Sequence, residues 1–266
     1  MKILVCVKQV PKEEDLKLDP ETKTLIRSKG KGIISEYDKY AIEMALRLKE
    51  KAGGSITAVT MGPPQSAETL RWCLSMGVDD AVLLSDRLMG GADAYATATT
   101  LAAAVRYLRQ QSGEMFDLIL CGKQAADSDT SLVMPQLAEA LGLPQVSAVS
   151  NFEYLCGNLA VERKTERTVY RHITELPAVI SVDKTAFTVR YPNIKLMLEA
   201  KKYEIPLLNA QTLGLGPNDV GTGGSKTTVG ASYFPEHNKS CVYASGDDSS
   251  ELAKNLLDLL AKEKVL

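Results

Sequence analysis

Short, continuous apolar runs alternate with amphipathic stretches along the first half of the chain. Runs of this length are typical of parallel strands that are buried on both faces. They are ILVCV at 3–7, ITAVTMG at 56–62, AVLLSD at 81–86 and DLILCG at 117–122. We therefore predict four buried strands in this half of the chain.

The stretches between the runs have the period of amphipathic helices. Apolar residues recur at i, i+3, i+4 and i+7 in two of them, at Ala41, Met44, Ala45 and Leu48 and again at Leu101, Ala104, Val105 and Leu108. A third stretch, SAETLRWCLSMG, begins with a good N-cap residue, Ser66, and ends at Gly77, a typical helix stop.

This alternation predicts an α/β fold: a doubly wound, mostly parallel sheet with right-handed crossovers and helices on both faces. In such sheets ligands bind beyond the carboxyl ends of the strands, where the strand order reverses, commonly between the first and fourth strands. The expected site therefore contains Lys8 and Gln9, which follow the first strand, and the residues from Gly122 onward, which follow the fourth.

The pattern changes after about residue 145. Alternating segments flank Gly157-Asn158, and the apolar run PAVISV follows at 177–182; we interpret them as antiparallel strands added to the sheet. The loop-like composition of residues 191–250 predicts an extended C-terminal arm. The glycines at 221–224 predict a flexible loop within it. The leucines of SSELAKNLLDLLAKEKVL predict a terminal helix, packed on its own domain or on a partner subunit. We place the α/β domain at 1–205 and the arm with its helix at 206–266.

The composition argues against several classes of protein. The formal net charge of the 266 residues is -2, which gives no basic excess for nucleic acid. No window approaches the roughly 18 apolar residues of a membrane helix, and the amino terminus lacks a signal-peptide pattern. Five widely spaced cysteines without a C-x-x-C pair favour neither a disulfide framework nor a zinc site. We expect a cytoplasmic protein.

Side chains for imidazole chemistry or metal binding are scarce. His172 lies in the alternating run TVYRHITEL, typical of a strand face, and His237 lies in a loop-like segment, FPEHNKS. We therefore expect neither a histidine-based catalytic residue nor a metal site.

The run CGKQAADSDT, residues 121–130, concentrates Gly, amide, hydroxyl and carboxylate groups between the fourth strand and an amphipathic segment. Asp129 or Thr130 can cap the following helix, but a cap explains only one or two of these residues. The rest cluster at a helix N-terminus, where free N–H groups and the helix dipole favour an anion such as a phosphate. The G-x-G-x-x-G and Walker patterns are both absent.

Several segments together resemble one family, the electron transfer flavoprotein β subunit. CGKQAADSDTSLVMPQLAEALG resembles its G-[KR]-Q-A-x-D-x-D loop, and MKILVCVKQVP, SEYDKYAIEMALRLKE, VTMGPPQSAETLRWCLSMGVDDAVLLSD and LPAVISVD match it in order. The resemblance extends to about residue 205. One departure is VERKTERTVYR, where Glu166-Arg167-Thr168 replaces the family's acidic-Gly turn.

The resemblance implies an adenine nucleotide at the crevice: a structural AMP in simple electron carriers, or a complete FAD that takes hydride from NADH in electron-bifurcating members. The implied cofactor-binding residues are Val7, Ser35, Glu36, Tyr37, Asp38, Met61, Gly122, Lys123, Gln124, Ala125, Ala126, Asp127, Ser128, Asp129, Thr130, Ser131, Leu132 and Val133.

Two segments favour the bifurcating branch. Ser35-Glu36-Tyr37-Asp38 stands where simple carriers have Asn-Pro-Phe-Cys, and GGADAYATATTLAAAV resembles the G-A-D-T-x-A-T segment of bifurcating members. Thr97 would then hydrogen-bond a flavin ring; Asp93 belongs to the same segment, although it can equally serve as the helix cap.

The resemblance also implies partners. They are an α subunit, ferredoxin and a flavin-dependent dehydrogenase acting on an acyl-CoA or a hydroxy acid. RYPNIKLMLEAKK resembles the family's docking loop, in which Ile194 would be the exposed anchor. We thus predict the electron-entry subunit of an NAD- and ferredoxin-linked oxidoreductase complex. The alternatives are a simple carrier subunit with AMP and a nucleotide-binding stress or regulatory module.

Overall fold

The computed structural model describes residues 1–11, 17–18, 25–26, 32–184, 188–228, 230 and 241–265. The chain divides into two compact units, Met1–Gly230 and Ala231–Leu266. His237, placed by the sequence in a loop, lies outside the described residues, as does part of the predicted arm.

The strands follow the predicted alternation closely in the first half of the chain. In chain order they are β1 (Lys2–Cys6), β2 (Gln9–Val10), β3 (Lys17–Leu18), β4 (Leu25–Ile26), β5 (Ile33–Ile34), β6 (Ser55–Met61), β7 (Asp80–Leu84), β8 (Leu118–Gly122), β9 (Gln145–Leu155), β10 (Asn158–Lys164), β11 (Val169–Glu175), β12 (Ala178–Val182) and β13 (Leu207–Leu208).

Nine of these strands form one sheet with the order β11-β10-β9-β12-β8-β1-β6-β7-β13. All neighbours from β9 to β13 in this order are parallel. The pairs β9–β10 and β10–β11 are antiparallel. The predicted doubly wound, mostly parallel sheet with added antiparallel strands is therefore confirmed. Two small sheets pair β2 with β5 and β3 with β4.

Helices of the first unit cover the sheet on both sides. The helices of this unit are α1 (Glu36–Ala52), α2 (Ala67–Met76), α3 (Ala94–Ser112), α4 (Val133–Leu141), α5 (Ile194–Lys202) and α6 (Gly221–Gly224), with 3-10 turns at Pro64–Ser66 and Arg87–Met89, and the second unit contains α7 (Ser249–Lys262). Gly77 ends α2 in the left-handed conformation, with φ 111°, as its sequence position predicted.

Two hydrophobic cores result from the alternation of side chains along the central strands. Ile3 and Val5 of β1 point to one face and pack with residues of α1 and α2. Leu4 and Cys6 point to the other face and pack with residues of α3 and α4. Continuous apolar runs in β1 and β8 are therefore required, because both of their faces are buried.

One strand differs from the prediction. Ala178–Val182, grouped with the antiparallel strands, is parallel to β8 and lies between β8 and β9. All five of its residues are buried, so its pattern, apolar except for Ser181, is that of an interior parallel strand rather than an edge strand.

Residues 191–228 were predicted to belong to an extended arm, but they contain helices and a strand. Besides α5 and β13, the glycines of 221–224 form the helical turn α6, in which Gly221 and Gly224 are buried. The prediction of a flexible loop is wrong: Gly221 has φ 58°, and a Cβ there would lie 2.9 Å from the Gly90 carbonyl oxygen. β13 pairs with β7 beyond residue 205; the division at 205/206 stays a prediction.

The second unit contains the predicted terminal helix, α7. Asp248 caps it, accepting hydrogen bonds of 2.8 Å from the N–H groups of Ser250 and Glu251. Its residues Leu252 and Leu256, on one face of the helix, are exposed.

Candidate functional site

The strand order reverses at β1, which lies between β8 on one side and β6 on the other. Cys6 at the end of β1 is in register with Cys121 near the end of β8. The loops that start at Lys8 and Gly122 therefore leave neighbouring strands at the same edge of the sheet. This is the crevice that a doubly wound sheet offers to a ligand.

Asp38, in the first turn of α1, holds these two loops together. One carboxyl oxygen accepts a 2.7 Å hydrogen bond from Lys8 N–H, and the other accepts a 3.1 Å bond from Gly122 N–H. The backbone N–H of Ser35 in turn donates to the Lys8 carbonyl oxygen at 2.9 Å. Three elements thus meet at one buried side chain.

The pKa of Asp38 reflects this burial. Removal of the carboxyl from water raises its pKa to about 7, although the hydrogen bonds from Lys8 and Gly122 and the Lys8 charge act in the opposite direction. Shifted pKa values are concentrated at functional sites, and buried structural hydrogen-bond networks also produce them.

Gly122 is required here by protein packing. A Cβ at this position would overlap a carboxyl oxygen of Asp38 and lie 2.9 Å from both the Asp38 nitrogen and the Tyr37 Cβ. Gly122 is one of the implied cofactor-binding residues, and the space beside its Cα is occupied by the start of α1.

Two ion pairs fix the loop that follows β8. Lys8 Nζ lies 2.6 Å from Asp127 Oδ1, and the Asp127 side chain is 3% exposed. Lys123 Nζ lies 2.8 Å from Asp183 Oδ2, directly after β12. Asp183 was missed by the sequence analysis, because nothing in LPAVISVD indicates a partner 60 residues away.

A second network orders the distal part of this loop. The Gln124 amide nitrogen donates to Asp129 Oδ1, and Ser131 Oγ donates to Gln124 Oε1 at 3.0 Å. Asp129 and Ser131 both have positive φ, 53° and 56°, an uncommon conformation for such residues. Strained loop backbone of this kind is concentrated at functional sites.

The start of α4 also differs from the prediction. The N-cap residue is Leu132, and no side chain in the described part of the chain caps this helix. The predicted cap by Asp129 or Thr130 is therefore wrong. The N–H groups of the first turn lie next to Thr130 and Ser131, which are both exposed, so the end of the helix is accessible to a ligand.

The predicted flavin segment lies at the start of α3. Asp93 caps this helix, accepting a 2.8 Å bond from Ala96 N–H, and its other oxygen accepts bonds from the N–H groups of Lys226 and Thr227. Burial raises the pKa of Asp93, but these bonds outweigh it and lower the pKa to about 2. Thr97, one turn into the helix, is half-buried.

Residues 225–227 were absent from the sequence-based site. Their hydrogen bonds to Asp93 span more than 130 residues, and Ser225 Oγ accepts from Asp93 N–H at 2.9 Å. The GTGGSKTT segment thus borders the start of α3, although its sequence matches none of the phosphate-binding patterns.

The remaining predicted cofactor residues differ in their burial. Val7 is buried, and Ser35 Oγ lies 3.5 Å from the Gln124 carbonyl oxygen. Met61, at the end of β6, packs partly against the core. The exposed positions are Glu36, Ala126, Ser128 and Leu132, and those of intermediate exposure are Tyr37, Ala125 and Val133.

The predicted docking residue lies far along the chain from these loops, on α5. Ile194 is 77% exposed, and its neighbour Tyr191 is 92% exposed. The segment is held by Arg190, whose Nε lies 2.9 Å from Glu43 Oε2 on α1. Although burial opposes it, hydrogen bonding from Arg190 and Arg47 lowers the pKa of Glu43. The backbone that carries these exposed side chains is therefore held against α1 by Arg190.

The described residues contain no group of three or more His, Cys, Asp or Glu side chains that could hold a metal ion. None of their helices is long and apolar enough to cross a membrane.

Fold and crevice together define a doubly wound α/β protein with its candidate site between β1 and β8. The family model for the electron transfer flavoprotein domain matches residues 22–213. The chain is 39% identical over 267 residues to electron transfer flavoprotein subunit beta of Thermoanaerobacterium thermosaccharolyticum, covering 100% of both chains.

Two further relatives have other names. The chain is 36% identical over 267 residues to the caffeyl-CoA reductase-Etf complex subunit CarD of Acetobacterium woodii, covering 100% of both chains. It is 36% identical over 240 residues to protein FixA of Azotobacter vinelandii, covering 89% of this chain and 85% of FixA. The chain belongs to the electron transfer flavoprotein β-subunit family, which the sequence resemblance had indicated, and its role is in electron transfer.

Proposed function

We propose that this chain is the electron-entry β subunit of an electron-bifurcating flavoprotein. In this proposal it pairs with an α subunit and binds FAD at the β1–β8 crevice. Hydride is accepted from NADH, or returned to NAD, and electrons are divided between ferredoxin and an α-subunit flavin that serves a dehydrogenase. The alternative within the family is a simple carrier subunit whose crevice holds a structural AMP.

The observation that carries the nucleotide site is the accessible, uncapped start of α4 beside the loop of 122–131. Free N–H groups at a helix N-terminus favour a phosphate, and Lys8 and Lys123 lie at the base of the same loop, where each is paired with a carboxylate. The residues present therefore fit a nucleotide whose phosphates lie at the loop and whose ribose hydroxyls reach its polar side chains.

The choice of FAD over AMP depends on the Ser35–Asp38 and Gly90–Thr97 segments. Thr97 is half-buried in the first turns of α3, and in this proposal its hydroxyl hydrogen-bonds the flavin ring, a group that AMP lacks. Bound FAD supplies the redox chemistry; the protein supplies position, electrostatics and exclusion of water. One relative is named as part of a caffeyl-CoA reductase-Etf complex, which supports a role in a larger redox assembly.

The test is chemical identification of the nucleotides released from purified heterodimer that has never been depleted of flavin. We expect two FAD per heterodimer, one of them reducible by NADH. Extraction of one FAD and one AMP would contradict the bifurcating function and leave the simple carrier.

A substitution tests the role of α3. Thr97→Val should change the redox behaviour of the NADH-reducible flavin more than its occupancy. Thr100→Val is the matched control, because the Thr100 hydroxyl donates to the Ala96 carbonyl oxygen at 2.8 Å within the same helix. Equal redox effects of the two substitutions would remove Thr97 from the flavin site.

A further inference from the structure

Asp38 uses its carboxyl in an unusual way for a residue in the first turn of a helix. A carboxylate at this position ordinarily accepts from the free N–H groups of its own helix. The Asp38 oxygens instead accept from Lys8 and Gly122, residues that belong to two different loops. The Asp38 side chain therefore connects the loops on the two sides of the crevice.

The connection extends into the candidate site through both partners. Lys8, whose N–H bonds Asp38, carries the ammonium group that pairs with Asp127 at 2.6 Å. Gly122, whose N–H bonds the other oxygen, is the residue from which the loop of 122–131 leaves β8. Displacement of Asp38 would move both, and with them the first residues of the proposed phosphate loop.

Asp38 itself is too enclosed to contact a ligand. It is 6% exposed, and its carboxyl occupies the space where a Gly122 side chain would lie. The titratable groups near it are the Lys8 ammonium and the thiols of Cys73 and Cys121, whose pKa values are raised chiefly by burial at Cys73 and by a hydrogen bond with Cys6 at Cys121. Both thiols stay neutral.

We infer that Asp38 is a positioning residue of the nucleotide site, which fixes the Lys8 loop against the Gly122 loop and leaves the contacts with the nucleotide to those loops. This rests on the nucleotide site proposed above. Both N–H groups need an acceptor, and a carboxyl offers one on each oxygen. An amide of the same shape offers only one, and its nitrogen would face an N–H group.

The experiment compares two isosteric substitutions in the assembled heterodimer. Asp38→Asn is the test, and Asp117→Asn is the matched control, because Asp117 Oδ2 accepts a 2.7 Å bond from Lys2 N–H at the opposite end of β1. Nucleotide content is measured by extraction, and dissociation constants are measured for added FAD and for added AMP. Amide hydrogen exchange is followed in peptides covering 2–11, 118–131 and, as an internal reference, 80–84.

We expect Asp38→Asn to weaken nucleotide binding at the crevice about tenfold or more, the scale of one lost hydrogen bond to a carboxyl group. Exchange should rise in 2–11 and 118–131 and stay unchanged in 80–84, whereas a purely global loss of stability would raise it in all three. The dissociation constant of Asp117→Asn for the nucleotide should stay within twofold of the wild-type value.

Unchanged affinity in Asp38→Asn, with wild type binding one nucleotide at the crevice, would overturn the positioning role and leave the proposed function intact. A wild-type heterodimer with no nucleotide beyond the α-subunit flavin would overturn both. If Asp38→Asn fails to assemble, Asp38→Ala replaces it, since water can enter the vacated space; the same tenfold loss is expected, and unchanged affinity would again overturn the positioning role.

Discussion

At the scale of single residues, position 122 requires glycine, because the start of α1 fills the space where a side chain would lie. A Cβ there would overlap the Asp38 carboxyl and approach Tyr37. Gly122→Val should therefore destabilise the protein by about 1 to 3 kcal/mol, the usual cost of overpacking, and should abolish nucleotide retention by displacing Asp38. Denaturant unfolding and nucleotide extraction measure the two effects.

Gly230→Ala is the control for that substitution, since a Cβ at Gly230 would meet no atom of the described residues within 4 Å. It should leave the free energy of unfolding nearly unchanged. Full nucleotide retention in Gly122→Val would contradict the placement of the site at this loop.

Asp38 should also give the protein a distinctive pH dependence. Its pKa is raised from 3.8 to about 7 by burial, so the folded state binds a proton there more tightly than the unfolded chain. The resulting stabilisation is fully present below the unfolded pKa and is lost as the pH rises through about 7. The free energy of unfolding of wild type relative to Asp38→Asn should fall by up to about 4 kcal/mol over this range.

Chemical denaturation of both proteins at pH values from 4 to 8 measures this difference, because all other groups titrate in both. A difference that is constant with pH, or that grows as the pH rises, would show that Asp38 keeps an ordinary pKa in the folded protein.

The sequence predicted single residues well where local rules apply, and poorly where distant partners decide. Gly77 ends α2 as predicted, because the left-handed conformation is a local requirement. The predicted cap of α4 was wrong, because the Asp129 carboxylate accepts a hydrogen bond from the Gln124 amide rather than from the N–H groups of the helix. The hydrogen bonds that Lys226 and Thr227 donate to Asp93 carry no local sequence signal.

Among the elements, α5 combines a fixed backbone with exposed apolar side chains. Asn193 caps it, and Arg190 ties the preceding residues to α1. Because Ile194 is 77% exposed, its truncation costs the isolated subunit little. Ile194→Ala should weaken binding of the physiological dehydrogenase by about 1 to 2 kcal/mol, while the flavin spectrum and thermal stability stay unchanged. Isothermal titration of the heterodimer with that dehydrogenase measures the loss.

Met115→Ala provides the comparison, since Met115 is 46% exposed and precedes β8 at the amino end of the sheet. It should bind the dehydrogenase like wild type. Equal affinities for Ile194→Ala and wild type would remove Ile194 from the docking surface.

The type of an element could be predicted where the apolar run extended along the whole element, as in β1, β6, β7 and β8. The direction of β12 was not, because the antiparallel strands β9, β10 and β11 intervene in the chain before it returns to β8. Its five buried residues carry the interior pattern, yet pattern alone does not specify which neighbour a strand joins. α6 was missed because its burial depends on Leu88 and Gly90, far away in sequence.

At the scale of the whole molecule, the nine-stranded sheet and both of its cores lie within Met1–Gly230. The crevice is therefore a property of the first unit, as are the α5 side chains. In the proposed function the subunit binds a nucleotide at the crevice and a dehydrogenase through α5, and a further surface holds the α subunit.

The terminal helix α7 is our candidate for that surface. Leu252 and Leu256 lie on one face and are 44% and 49% exposed, a pattern typical of a helix that packs on a partner. A chain ending at Gly230 should keep a cooperative thermal transition, because the nine-stranded sheet and both cores lie within Met1–Gly230. It should bind the α subunit at least tenfold more weakly, as measured by analytical ultracentrifugation.

A full-length pair of variants separates the helix from the rest of the arm. Leu252→Ser with Leu256→Ser removes the apolar face, and Lys254→Ser with Asp258→Ser changes the opposite face as the control. Only the leucine double variant should bind the α subunit as weakly as the truncated chain does, because burial of apolar area drives this assembly. If the leucine variant assembles normally but melts at a lower temperature than the control, α7 packs on its own subunit instead, and the α subunit is held elsewhere.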